Sequence, residues 1–153
     1  MATHHDSTGY LVAQAAGVSL APLQHGFLER ARSLHQGAAA LAAQDASHAH
    51  ATVFLAAWCA ELSLKAYLAK HGQFKEQLGA IQHNLSGLWK KAASLGLSVP
   101  QDPPRWLQLL GTLHGNPYHL RYPSEAAASL SPAANEAVVG LGNLIQVVEK
   151  AFE

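Results

Sequence analysis

Glu61 lies inside the most apolar stretch of the chain. Read as a helix at about 100° per residue, it falls between Leu68 and Phe54, on an arc shared with Val53, Ala57, Trp58 and Leu64. A bare carboxylate among such neighbours is costly, so it needs a cation or hydrogen-bond donors. Lys65, one turn on and in the favourable Glu-to-Lys order, can supply one. Two arrangements satisfy this pattern. One is a local, partly exposed ion pair. The other is a polar pocket in which Glu61 also meets Arg121 or a histidine of the 114–122 segment.

That segment is the second place where chemistry gathers. Tyr118-His-Leu-Arg-Tyr-Pro123 sets two tyrosines, a histidine and an arginine between two helical patterns, in a chain with only 13% charged residues. Arginine forks onto phosphate or carboxylate, and tyrosine stacks or donates a hydrogen bond. Arg121 could equally cap a helix end or pair with Glu61. Over 77–124, Lys90, Lys91, Arg105 and Arg121 stand against Asp102 alone, with His83, His114 and His119 nearby in sequence. This mildly basic stretch suggests a side that faces an anion.

Other chemistries find less support. His48-x-His50 and His114-x4-His119 have chelating spacings, but i and i+2 point to nearly opposite faces of a helix. There is no HExxH, and Cys59 has no ligand partner nearby in the sequence, so no metal site is expected. The aspartates sit in the N-terminal tail or at expected caps, and neither a nucleophile elbow nor a glycine-rich phosphate loop occurs. No cofactor is implied.

The elements that must position these residues are helices. Twenty-nine alanines and 23 leucines make up 52 of the 153 residues, against 14 β-branched ones. Residues 1–19 read as a tail and 20–153 as one domain. A first helix carries Leu20, Leu23, Phe27, Ala31, Leu34, Ala38 and Leu41 on one face. A second, capped by Asp45 or Ser47, runs to about Lys70 and stops at Gly72; it is apolar almost all round and must lie between neighbours. After a loop over 72–82, Asn84 caps a third helix with a stripe of Leu85, Leu88, Trp89, Ala92 and Leu95, stopped by Gly96. Asp102-Pro-Pro104 starts a fourth with Trp106, Leu109, Leu110 and Leu113. Ser131-Pro132 starts a fifth, whose stripe is Ala134, Val138, Leu141, Ile145, Val148 and Phe152. The expected fold is an all-α, up-and-down bundle of about five helices.

Composition narrows the function classes. Ten basic residues balance ten acidic ones, so binding driven by overall positive charge is not expected. The 49% apolar content excludes a disordered chain. One cysteine cannot form an internal disulfide. No Lys or Arg precedes Arg30, as a signal peptide would require, and the apolar run Val53–Ala60 is too short to span a bilayer. A cytoplasmic protein without a membrane partner is expected.

The order of these features resembles a HEPN domain from about residue 21 to 150. The likeness rests on Ala57-x3-Glu61-x2-Leu64-Lys-Ala-Tyr-Leu68 ending at Gly72, on His83-x-Leu85-x2-Leu88, and on Leu120-Arg-Tyr-Pro123 before the last helix. The resemblance implies a helical bundle, commonly a homodimer, found beside nucleotidyltransferases, in toxin–antitoxin pairs and in phage defence. Many members are metal-independent ribonucleases with an Arg-x4–6-His motif late in the domain. Here no histidine follows Arg121, and Arg30-x4-His35 lies in the first helix; chance alone supplies about 0.8 such matches among four arginines and ten histidines. The expectation is therefore a non-catalytic HEPN-like module that dimerises and binds a nucleotide, an RNA or a partner protein such as a nucleotidyltransferase or antitoxin. Its expected site is Glu61, Lys65, His83, His119, Arg121 and Tyr122. The alternative is a ribonuclease with His119 as general acid–base and Arg121 stabilising the developing charge.

Overall fold

The computed structural model describes residues 22–44, 46–115, 120 and 130–153. The expected tail, Asp45, Tyr118, His119, Arg121, Tyr122 and Pro123 lie outside them. The described chain is all-α, with six helices packed as a bundle: α1 (Leu23–Ala42), α2 (Ala49–Lys70), α3 (Lys75–Leu78), α4 (Leu85–Ser94), α5 (Arg105–His114) and α6 (Leu130–Lys150). No strand occurs among the described residues.

Helix α2 is the centre of the bundle and packs against α1, α4, α5 and α6. Its all-round apolar sequence explains this position, because no face of it suits water. Thirteen of its residues are buried, among them Val53, Ala57, Cys59, Leu64 and Leu68. The alanines between the leucines let neighbouring helices approach closely, since interaxial distance follows the side chains at the contact. Each fully buried leucine contributes about 2 kcal/mol of hydrophobic stabilisation. By length and composition α2 could also cross a membrane, which the shorter run Val53–Ala60 did not suggest; in this fold it is the core helix.

Local signals set several boundaries as the sequence predicts. Gly72 and Gly96 end α2 and α4 with φ of 72° and 101°, a region that costs glycine nothing. The Asn84 Oδ1 accepts the Gly87 N–H at 2.9 Å, capping α4. Elsewhere the expectations need correction. Helix α2 is preceded by a 3₁₀ turn (Ala46–His48), and its N-cap is His48. The N-cap of α5 is Pro104, not Asp102, so neither Pro103 nor Pro104 lies inside the helix. The 72–82 loop contains α3 and a second 3₁₀ turn (Gly79–Ile81).

One stripe largely holds and one is displaced. In α1 the buried residues are Ala31 and Ala38 of the expected face together with Leu28, with Phe27 and Leu34 packed against the core and Leu23 exposed. In α5 they are Leu107, Leu110 and His114, with Trp106 and Leu113 half-buried and Leu109 exposed. Only contact with α2, α4 and α6 selects between the two possible faces of so short a helix. The stripe of α6 agrees more closely: Ala134, Leu141, Ile145 and Val148 are buried, joined by Ala137 and Leu144.

The one cysteine tests the tightness of this core. The Cys59 Sγ is buried and donates to the Ala31 carbonyl of α1 at 3.2 Å. Burial pushes its thiol pKa up to about 12, against a smaller opposing effect of the Ser63 hydroxyl. A thiolate is then absent at neutral pH. Native protein is expected to resist a water-soluble thiol reagent, with modification following global unfolding in urea. Rapid modification of the folded chain would show that the α1–α2 contact opens locally.

Candidate functional site

Glu61 is 1% exposed, and three other side chains reach its carboxylate. Helix α2 supplies Lys65, one turn on, whose Nζ donates to Oε1 at 2.6 Å. The turn after α3 supplies His83, whose Nδ1 lies 2.9 Å from the same oxygen. The last turn of α5 supplies His114, whose Nε2 lies 2.6 Å from Oε2. An ionised carboxylate only accepts hydrogen bonds, so both imidazole nitrogens facing it carry protons.

Local structure explains each approach. Gly79, at φ 52°, turns the chain sharply out of α3 and into the 3₁₀ turn that leads to His83. Asn84, the next residue, caps α4, so the histidine sits immediately outside a fixed helix end. His114 belongs to the buried stripe of α5, and its ring meets the edge of Trp58 at 5.1 Å between centroids.

Burial on its own would raise the Glu61 pKa. The hydrogen bonds from His114, Lys65 and His83, together with the Lys65 charge, outweigh it and lower the pKa to about 2. The carboxylate is therefore ionised at neutral pH. Both readings of Glu61 were partly right. The Lys65 pair exists, but it is the buried version, completed by two histidines.

Two cavities flank the cluster. An open groove of about 1040 Å³ is lined by His83, Ser86, Lys90, Asp102, Gln108 and Thr112, among others. A smaller pocket of about 260 Å³ is lined by Leu23, Phe27, Phe74 and Leu78, with Lys65 on its wall. Gln82 borders both. The Glu61 Oε1 thus holds one side chain of each cavity. The His83 side chain is 58% exposed, and its Nε2 makes no hydrogen bond among the described residues.

Of the six expected site residues, Glu61, Lys65 and His83 come together, while His119, Arg121 and Tyr122 lie outside the described residues. His114 is the member left out of that set. A histidine of the 114–122 segment was expected to meet Glu61, and His114 does so from the end of a helix. Its signal was the i, i+3, i+7 spacing of Leu107, Leu110 and His114. The basic stretch brings Lys90 to the groove, but it also brings Asp102, so the wall is of mixed sign. Among the described residues no group of three His, Cys, Asp or Glu side chains could hold a metal ion. Set against protein-family models, curated proteins and solved structures, this bundle with its buried, histidine-clasped glutamate matches none of them.

Proposed function

We propose that the chain is a HEPN-like binding module whose groove at His83 takes a phosphate-bearing ligand, a nucleotide or a short RNA. The observation that carries this reading is the Glu61–His83 pair at the wall of a polar groove that also holds Lys90. A carboxylate on Nδ1 fixes the ring's orientation so that Nε2 faces the groove, and in the doubly protonated form of the ring that Nε2–H donates to a phosphate oxygen. Lys90 is exposed and in no salt bridge among the described residues, which leaves its charge available to a phosphate. In this reading the module acts as a homodimer, alone or beside a nucleotidyltransferase or antitoxin. The ribonuclease alternative rests on His119 and Arg121, outside the described residues, and gains no support from this groove.

Titration of fluorescent nucleotides and short single-stranded RNAs tests the proposal by anisotropy. Saturable binding is expected, weakening as salt rises. Lys90→Ala and His83→Ala are each expected to weaken it roughly tenfold, the loss typical of one charge-assisted hydrogen bond. Binding that ignores salt and both substitutions would refute the assignment. Comparing the mononucleotide with the RNA separates the two ligand classes.

A further inference from the structure

We propose that His83 accepts a phosphoryl group on Nε2 from a phosphoramidate donor, the chemical class that includes phosphohistidine on another protein. This goes beyond ligand binding and does not depend on it. Among the described histidines, His83 alone combines a carboxylate on one ring nitrogen with an exposed ring. Its Nδ1–H is held by Glu61 at 2.9 Å, which places the lone pair on Nε2. The side chain is 58% exposed at the wall of the open groove, with room for a tetrahedral group. His114 has the same kind of partner, but its side chain is 4% exposed. His35 and His71 contact backbone carbonyls instead.

The step balances without a further reagent. The Nε2 lone pair attacks phosphorus, the N–P bond to His83 forms, and the donor's P–N bond breaks. The leaving amine departs with that electron pair, as ammonia already carrying its protons from zwitterionic phosphoramidate, or as the neutral imidazole of a phosphohistidine donor. The imidazole becomes cationic as the bond forms. Glu61, ionised behind it, stabilises that charge through the proton it already accepts. Lys90 on the groove wall offsets the phosphoryl charge, while Asp102, the one acid among the described residues that line the groove, works against it.

The whole chain is incubated with potassium phosphoramidate at neutral pH and followed by intact mass and phosphorus NMR. One phosphoryl group per chain is expected, stable to alkali, lost in acid, and mapped to His83. His83→Gln abolishes it. His50→Gln, at an exposed histidine in the first turn of α2, leaves it unchanged. Glu61→Gln slows labelling roughly tenfold, as loss of an orienting partner does elsewhere. Lys90→Ala, a surface change that spares the core, slows it severalfold and carries the test if Glu61→Gln does not fold. No incorporation, equal labelling of His50, or a His83 rate unmoved by Lys90→Ala would overturn the proposal. Labelling without bound nucleotide keeps its failure distinct from that of the binding reading.

Discussion

Alanine in place of Glu61 is expected to lower the free energy of unfolding by about 3 kcal/mol at neutral pH, the lower end of the cost of breaking a buried ionic cluster. Among the described residues the carboxylate is the one acceptor shared by Lys65, His83 and His114. Without it, Lys65 can extend toward the pocket it borders, and the exposed His83 can turn to water. His114 cannot, because it is buried beside Trp58. Glutamine is expected to be nearly as damaging. It keeps the shape, but its amide NH₂ donates where a donor already points. Urea unfolding at neutral pH reads this directly, and an unchanged midpoint for Glu61→Ala would remove the cluster from the account of stability.

The same carboxylate predicts an acid dependence. Its folded pKa of about 2 lies below the ordinary 4.5, so its stabilisation is fully present above pH 4.5 and is lost as pH falls through 2. The difference corresponds to about 3 kcal/mol. Wild-type stability should therefore decline over that interval, while the part due to this group is absent from Glu61→Ala. The two proteins converge in acid and separate towards neutrality. Parallel curves across pH 2–5 would contradict the assignment.

Alanine at Gly140 is expected to destabilise the fold by about 2 kcal/mol, against the direction of local propensity. In an exposed helix interior the change gains up to about 1 kcal/mol, because alanine loses less backbone freedom on folding. Here an added Cβ would fall within the Trp106 indole, against atoms of both its rings. Overpacking of this kind costs about 1–3 kcal/mol, and a rigid ring cannot yield as a flexible chain end could. Trp106 also meets the edge of Trp89, at 6.3 Å between centroids, so the strain passes towards α4. Trp106→Leu combined with Gly140→Ala should recover part of the loss in a double-mutant cycle. If Gly140→Ala raises the melting temperature, the α5–α6 contact is looser than described.

The five longer helices were legible because each rests on information local to it, whereas the one-turn α3 falls in what reads as a loop. The alanine and leucine content, Gly72, Asn84 and Gly96 act within one or two turns of chain. Glu61 was legible for a related reason: an acid on an apolar arc violates a local pattern, and Lys65 sits one turn away. His83 and His114 were harder to join to it, being 22 and 53 residues further on. Nothing in their own neighbourhoods states which of ten histidines will meet the carboxylate. The short helix α5 shows the same limit, since its buried face carries Leu107 where the stripe reading chose Leu109.

By itself the sequence determined that this is a helical bundle with one acid on the apolar arc of its most apolar helix, in need of a cation or hydrogen-bond donors. Backbone propensity and the cost of an unpaired charge operate without reference to the rest of the chain. Only the tertiary structure decided which donors satisfy that acid, that one of them faces an open groove, and that Gly140 must remain glycine. Those outcomes depend on which helix faces meet. The choice is set by close packing summed over α2 and all its neighbours, and no single segment of sequence encodes it.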